Sequence, residues 1–218
     1  MSGIETVVLD GSGTIIDDIH TVWKANSEAY KTNGFKRLET LVKFKEVFRL
    51  PISDFHRANN IPESMFDDIE KSYRQFYPNY SHHIRIFPEV KNVLEKLREE
   101  KITVGIASNI PTLFLKEHLQ RFEILEFFDA VTGQDDCDEQ KPSPKPISIT
   151  LNKLKVKPVT AAYVGDMKED IIAGKKANVY TIAICREGSY HPAWKLKKLK
   201  PDYFISDLNE LLKIVKNK

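Results

Sequence analysis

Side chains that can do chemistry recur at the ends of successive apolar segments of the 218-residue sequence. Carboxylates close the first and fourth segments, a hydroxyl and an amide close the second, and an ammonium group follows the third after a polar loop. Carboxylates placed together repel one another unless a cation neutralises them, and Mg²⁺ prefers oxygen ligands from one or two carboxylates together with phosphate. In chain order the residues are Asp10, Ser108, Asn109, Lys141, Asp166 and Asp170.

Five short apolar segments are predicted to be the strands that position these groups. They are rich in Val, Ile and Ala and nearly continuous rather than alternating, which is typical of parallel strands covered on both faces. The carboxyl ends of parallel strands meet at one edge of an open sheet, where ligands bind, so groups that are distant in sequence come together there. The predicted strands are Thr6–Asp10, Ile102–Asn109, Phe128–Gly133, Ala161–Asp166 and Tyr180–Cys185.

Helical patterns between the strands predict an α/β fold with a doubly wound parallel sheet and right-handed crossovers. One pattern places Val90, Val93, Leu94 and Leu97 on a single helical stripe. In the C-terminal pattern, which starts at residue 208, Ser206 or Asp207 would cap the helix.

The stretch over residues 18–84 has no convincing strand pattern. It carries three amphipathic segments, around Val22–Tyr30, Leu41–Phe48 and Phe66–Tyr77. We therefore expect an α-helical cap subdomain over residues 18–84, inserted into an α/β core made of residues 1–17 and 85–218.

The glycine-rich turn after the first predicted strand favours an anion. Gly11 and Gly13 allow backbone N–H groups to approach a bound anion closely, and Ser108 and Lys141 would face the same phosphate. Each residue alone has an ordinary structural explanation, such as a helix cap or a turn former. The order in which these groups follow successive strands is what indicates one site.

The sequence resembles the haloacid dehalogenase superfamily, and within it the phosphoglycolate phosphatase-like hydrolases with a helical cap. Four pieces match that family's motifs in order: "VVLDGSGT", "IASN", "KPSP" and "VGDMKED". The tail "PDYFISDLNELL" is similar to the family's closing strand and helix. The resemblance covers essentially the whole chain, and the set of four motifs is far more specific than any one of them.

This resemblance implies a role for each matching position. Asp10 would be the nucleophile that forms an aspartyl-phosphate, and Lys141 would neutralise charge on the transferring phosphoryl group. The remaining phosphate ligands would be Gly13, Ser108 and Asn109. The ligands of Mg²⁺ would be Asp10, Asp166 and the backbone carbonyl of Ser12, with Asp170 acting directly or through water.

Ser12 departs from the family pattern, which has a second aspartate at this position. That aspartate protonates the leaving group and then activates the water that cleaves the phosphoenzyme. A serine hydroxyl is a poor acid or base near neutral pH, so its presence should cost roughly 10²–10⁴ in rate. The metal and the nucleophile would survive, because Ser12 lends only its backbone carbonyl to the ion.

Several interpretations of Ser12 stay open at this point. The chain is compatible with a phosphatase that turns over slowly or relies on a good leaving group, and with a non-catalytic relative that binds a phosphorylated ligand. A phosphonatase-like enzyme would use a cap lysine, for which Lys24, Lys43 and Lys45 are available. A dehalogenase is disfavoured because "GDMKED" keeps acids that only a metal needs, and an introduced serine is a further explanation.

Composition and net charge indicate which classes of binding partner to expect. The net charge of +2, with 29% charged and 41% hydrophobic residues, is typical of a soluble globular protein and indicates neither nucleic acid nor membrane as a partner. Two cysteines cannot form a disulfide framework, so we expect a cytoplasmic protein. We also expect a monomer or a homodimer. The expected substrate is a small phosphorylated compound. His82-His83 has no cysteine or third histidine nearby in sequence, which favours a linker over a zinc pair.

Overall fold

The structure is a computed structural model that describes residues 3–216. It divides into two compact units. One unit runs to Ile15 and resumes at Ile86, and the other, called here the helical unit, spans Ile16–Arg85. None of the helices in the described part of the chain is long and apolar enough to cross a membrane.

The elements alternate along the chain as the sequence pattern predicts for an α/β fold. The strands are β1 (Thr6–Leu9), β2 (Ile16–Asp17), β3 (Arg85–Ile86), β4 (Thr103–Ala107), β5 (Ala130–Thr132), β6 (Ala161–Gly165), β7 (Tyr180–Ile184) and β8 (Tyr203–Ile205). The helices are α1 (Ile19–Thr32), α2 (Leu41–Val47), α3 (Ile52–Ala58), α4 (Phe66–Tyr80), α5 (Val90–Glu99), α6 (Thr112–Arg121), α7 (Lys145–Leu154), α8 (Lys168–Lys176), α9 (Ala193–Lys197) and α10 (Leu211–Lys216).

The first unit is built on a sheet that, within the described residues, has six strands in the order β5-β4-β1-β6-β7-β8. All of its pairings are parallel, so the predicted α/β class is confirmed. The five predicted segments and the strand of the tail form this sheet. In its register Leu9 lies beside Ile106 on one side and Val164 on the other. The residues that follow β1, β4 and β6 therefore leave the sheet at the same level.

The helical stripe predicted around residue 94 is confirmed in α5. All four of its apolar residues are fully buried, which is the burial that a one-sided apolar stripe requires. Near the C-terminal end of the chain, Asp207 caps the start of the 3₁₀ helix Leu208–Glu210, which leads into α10: its side chain accepts a hydrogen bond from the N–H group of Asn209 at 2.7 Å. Burial and capping thus follow the sequence pattern closely in this unit.

The helical unit contains one helix that the sequence pattern does not reveal and one that the pattern ends too early. The unpredicted helix, α3, has only seven residues and therefore shows little periodicity. The amphipathic pattern of α4 stops at Tyr77, but the helix continues to Tyr80 with Pro78 inside it. Proline has no backbone N–H group, so the last turn of α4 lacks one hydrogen bond of the helical ladder. Aromatic rings fill the core of the unit, with the ring centroids of Tyr30 and Phe55 5.9 Å apart.

His56 makes the helical unit sensitive to acid. Its ring is buried within the unit, Nδ1 lies 2.9 Å from Oη of Tyr30, and burial lowers the pKa of His56 to about 4. The unfolded chain has the ordinary histidine pKa of about 6.5. As the pH falls from about 6.5 to about 4, the unfolded state takes up a proton that the folded state does not, so the free energy of unfolding decreases.

We expect His56→Asn to flatten this pH dependence. Asparagine keeps an acceptor for the hydroxyl group of Tyr30 but does not titrate, so the loss of stability between pH 6.5 and 4 should shrink by on the order of 1–3 kcal/mol. Urea unfolding across this pH range measures it. Tyr30→Phe is the matched control, because it removes the hydrogen bond and leaves the titrating ring. Equal slopes in the wild type and His56→Asn would contradict the expectation.

Candidate active site

The carboxyl ends of three neighbouring strands bring the sequence-predicted residues together. Asp10 follows β1, Ser108 follows β4 and Asp166 follows β6, and all three side chains are buried. The N–H group of Asp10 donates to the carbonyl of Val164 at 2.9 Å, which extends the pairing of β1 and β6 by one residue. The central position of β1 in the sheet is therefore what places Asp10 between the other two groups.

Lys141 reaches this point from the loop after β5 and is 1% exposed. Its Nζ donates to Oδ1 of Asp10 at 2.6 Å and to Oδ1 of Asp170 at 2.7 Å. The third contact of Nζ is with Oη of Tyr163 at 2.9 Å, and that hydroxyl donates in turn to the carbonyl of Ala107 at 2.8 Å. All three donors of the ammonium group are used, so its position is fully determined by the surrounding side chains.

Three buried carboxylates surround the ammonium group. Asp10, Asp166 and Asp170 each offer an oxygen, and these oxygens lie within 4.8 Å of one another. The second oxygen of Asp170 accepts from the N–H group of Met167 at 2.8 Å, and Oδ2 of Asp166 accepts from the N–H group of Tyr190 at 2.5 Å. Oδ1 of Asp166 is buried and has no hydrogen-bond partner within the described residues.

Burial and like charge dominate the electrostatics of these carboxylates. Burial raises the pKa of Asp10 to about 6; Lys141 opposes this rise and Asp170 adds to it. Burial, then Asp170 and Asp10, hold the pKa of Asp166 well above its usual range. Burial alone would lower the pKa of Lys141, but Asp10 and Asp170 together raise it well above its usual range. The ammonium group is therefore charged at neutral pH, and the carboxylates favour any further cation.

The donor set fits Mg²⁺. Three carboxylates and one ammonium group leave two formal negative charges in a buried space. The available donors are oxygen atoms, which Mg²⁺ prefers, and the buried Oδ1 of Asp166 is an acceptor that a cation would satisfy. Both oxygens of Asp170 already accept hydrogen bonds, whereas Oδ1 of Asp166 has no hydrogen-bond partner within the described residues.

Two glycines allow the backbone to approach the site closely. Gly13 has φ +73°, and a Cβ atom on it would lie 2.3 Å from Oδ2 of Asp166. A Cβ atom on Gly11 would lie 2.7 Å from Oγ of Ser108. The turn that contains the half-buried Ser12 therefore runs directly against Asp166 on one side and Ser108 on the other.

Ser108 and Asn109 bring a hydroxyl and an amide to the same edge. Oγ of Ser108 accepts a hydrogen bond from the N–H group of Ile110 at 3.3 Å. Oδ1 of Asn109 accepts from the backbone N–H group of Lys141 at 3.5 Å, so Asn109 holds the loop that carries this lysine. Nδ2 of Asn109 is buried without a hydrogen-bond partner in residues 3–216, and an amide donor of this kind suits an anion.

Tyr163 and Tyr190 contact the site, although the sequence pattern assigns neither of them to it. Tyr163 lies in the middle of β6, where an aromatic residue is normally a packing residue, but its hydroxyl group contacts Lys141. The signal was available: a tyrosine in a strand that is buried on both faces needs a partner for its hydroxyl. Tyr190 acts through its backbone N–H group, which leaves no trace in the residue type.

The sequence is similar to a known protein family and to individual proteins. A family model described as haloacid dehalogenase-like hydrolase matches residues 7–184. Pyrophosphatase PpaX of Oceanobacillus iheyensis is 30% identical to this chain, with 97% of each sequence covered. Pyrophosphatase PpaX of Bacillus cereus is 31% identical, with 98% of this chain and 97% of the relative covered.

Solved structures share the fold over nearly the whole chain. A predicted phosphatase from Clostridium acetobutylicum superposes with a TM-score of 0.87 at 21% identity, covering 97% of this chain and 98% of that one. A predicted phosphoglycolate phosphatase from Haemophilus somnus superposes with a TM-score of 0.85 at 21% identity, covering 99% and 100%. At these identities the likeness concerns the fold.

Gly13→Ala is expected to disrupt the site rather than only strain the backbone. The new methyl group would meet the carboxylate of Asp166, so the substitution should cost about 2–4 kcal/mol and most of the hydrolase activity. Gly34→Ala is the matched control, because Gly34 also has a positive φ, +82°, but nothing lies within 4 Å of the point that its Cβ atom would occupy. It should cost about 1–2 kcal/mol and leave activity unchanged. Equal losses of stability and activity in both variants, measured by thermal unfolding and phosphate release, would contradict this.

Proposed function

The chain belongs to the haloacid dehalogenase-like hydrolases, and within this family of enzymes we propose that it is a Mg²⁺-dependent phosphohydrolase that acts through an aspartyl-phosphate at Asp10. The relatives named as pyrophosphatases support a phosphatase rather than a dehalogenase. We further propose that the helical unit, Ile16–Arg85, is the cap expected over residues 18–84, and that it restricts the substrate to a small phosphorylated compound. A cytoplasmic location, and a monomeric or homodimeric state, stay predictions.

The observation that carries this proposal is the contact of Lys141 with both Asp10 and Asp170. It places a fixed positive charge against the carboxylate that would attack phosphorus, among side chains that are almost fully buried. Fixed charge in such surroundings stabilises the negative charge that a transferring phosphoryl group spreads over its equatorial oxygens. A carboxylate placed only for structure would not need an ammonium group, a second acid and a glycine turn around it.

The proposed reaction has two displacements at phosphorus. In the first, an oxygen of Asp10 forms a bond to phosphorus while the bond to the leaving group breaks. In the second, water attacks phosphorus, the bond to Asp10 breaks and inorganic phosphate leaves. Lys141, the hydroxyl group of Ser108 and the amide group of Asn109 would hold the phosphoryl oxygens through both steps.

Mg²⁺ would be held by Asp10, Asp166 and the backbone carbonyl of Ser12, and when bound it would neutralise charge on the phosphoryl group. The two hydrogen bonds that Asp170 accepts, from Lys141 and from the N–H group of Met167, support an indirect role for this residue. We infer that Asp170 positions Lys141 and reaches the metal through water.

A serine at position 12 favours substrates whose leaving group is stable as an anion. Without a carboxylic acid at this position, an alkoxide would have to leave without a proton, whereas phosphate or a phenolate leaves readily as an anion. The relatives named as pyrophosphatases make inorganic pyrophosphate the first compound to test. The second displacement lacks its general base as well, so we expect the phosphoenzyme to accumulate.

This intermediate can be trapped. With Mg²⁺ and pyrophosphate or p-nitrophenyl phosphate, the wild-type protein should release phosphate, and acid quenching should trap a phosphoryl group on Asp10 that borohydride reduction and mass spectrometry locate. Asp10→Asn should abolish the adduct and lower the rate by about 10³-fold or more, because an amide is not a nucleophile here. Asp202→Asn is the control, since Asp202 accepts hydrogen bonds from Thr181 away from these groups. Ligand-induced thermal stabilisation with neither adduct nor phosphate release would instead mean a binding protein.

Ser12→Asp restores the acid that the family pattern has at this position. Restoring the acid should raise the rate with an alkyl phosphate by about 10²–10⁴, and it should raise the rate much less with p-nitrophenyl phosphate, whose leaving group needs no proton. The amount of phosphoenzyme trapped by acid quenching should also fall, because the second displacement regains its general base.

Ser12→Asn is the matched control for shape without acidity and should give no gain. Equal gains with both classes of leaving group would contradict the inferred dependence on the leaving group. No gain in either class would mean that a different group performs the proton transfer, and a cap lysine trapped by borohydride with an aldehyde substrate would then identify a phosphonatase-like enzyme.

A further inference from the structure

Three exposed histidines lie together on the helical unit although the sequence separates them widely. His20 is in the first turn of α1, and His82 and His83 belong to a 3₁₀ helix, Ser81–His83, that follows α4. The ring centroids of His20 and His83 are 5.1 Å apart, and those of His82 and His83 are 3.9 Å apart. The sequence favours a linker because no third histidine lies near His82-His83 along the chain, and the fold supplies one.

The backbone under these rings is held in place by hydrogen bonds within the helical unit. Oγ1 of Thr21, the residue after His20, donates to the carbonyl of Tyr80 at 2.9 Å. Nη1 of Arg85 donates to the carbonyl of His82 at 2.6 Å. The start of α1 and the 3₁₀ helix are thereby fixed side by side, while the three histidines that they carry are exposed.

We propose that His20, His82 and His83 form a binding site for a divalent transition-metal ion of the class of Zn²⁺, Cu²⁺ or Ni²⁺. Neutral imidazole nitrogen is a preferred ligand of these ions, whereas Mg²⁺ prefers oxygen. The nitrogens of the three rings do not all lie within 4.8 Å of one another in the structure, so rotation about the side-chain bonds has to bring one nitrogen of each ring to a common ion. The site is separate in residues and in ligand chemistry from the cluster around Asp10.

The surroundings favour an uncharged imidazole at His20 and place an acid near it. Burial lowers the pKa of His20, and His83 and Lys24 lower it further, so the His20 ring is neutral and able to bind metal at neutral pH. The carboxylate of Asp17 raises the pKa of His20, so an acid lies near the same ring. Lys24, whose Nζ lies 4.2 Å from the ring centroid of Trp23, is the nearby positive charge that opposes a cation.

A metal at this site would join the two ends of the helical unit. His20 lies close after the first residues of the unit, and His82 and His83 lie just before its last residue, Arg85. An ion that binds both ends in the folded state only would stabilise the unit by mass action. The site therefore predicts a metal-dependent melting temperature that does not require the residues around Asp10.

Titration with Cu²⁺ in a large excess of Mg²⁺ tests the proposal. The full-length wild-type protein at slightly alkaline pH should bind one equivalent of Cu²⁺, with nitrogen couplings from imidazole in the electron paramagnetic resonance spectrum. Zn²⁺ should displace the Cu²⁺ and raise the melting temperature. Excess Mg²⁺ keeps the carboxylates of Asp10 and Asp166 from competing, and an oxygen-only spectrum would overturn the assignment.

Single-residue variants make the test specific. His20→Ala and His83→Ala should each weaken Cu²⁺ binding by on the order of 10–100-fold and remove one nitrogen coupling. Both positions are exposed, so the variants should fold, and their unchanged melting temperature without metal would verify it. Lys24→Ala is the matched control: it removes a repelling charge but no ligand, so binding should stay equal or tighten. Unchanged binding in both histidine variants, or no binding by the wild type, would overturn the proposal, and hydrolase activity need not be measured.

Discussion

The ammonium group of Lys141, buried between Asp10 and Asp170, is the interaction on which the rest of the site depends. Each of these charges would be costly to bury alone, and together they are stable only because every donor of the lysine has a partner. The contact joins the end of the central strand, the loop after β5 and the start of α8. The strand order, with β1 between β4 and β6, is what lets three distant segments meet at one group.

Ser12 separates two functions that usually occur together in this family. The groups that would bind a phosphoryl group and a metal are complete around Asp10, while the group that would move a proton is replaced by a hydroxyl. Binding depends on charge and geometry, which the sheet supplies. Proton transfer depends on a pKa near the working pH, which serine does not have. The proposed function therefore joins phosphate binding with a dependence on leaving groups that need no acid.

Local patterns in the sequence predict much of the fold, and they fail where the pattern is short or ambiguous. Continuous apolar runs locate the strands, and the stripe of α5 is buried as its periodicity requires. Helix α3 escapes prediction because seven residues show too little periodicity, and the pattern ends α4 too early because Pro78 favours a stop. In both places packing within the helical unit outweighs the local preference of the chain.

Residue type and strand position are local properties, so the chemistry at the strand ends can be predicted from the sequence. The strand pattern is enough to put Asp10, Ser108 and Asp166 at one edge of a parallel sheet. Which groups touch is a property of the tertiary structure: Asp170 shares Lys141 with Asp10, and His20 lies in a cluster with His82 and His83. Such contacts depend on strand register, loop paths and side-chain rotamers, which join residues that no local pattern relates.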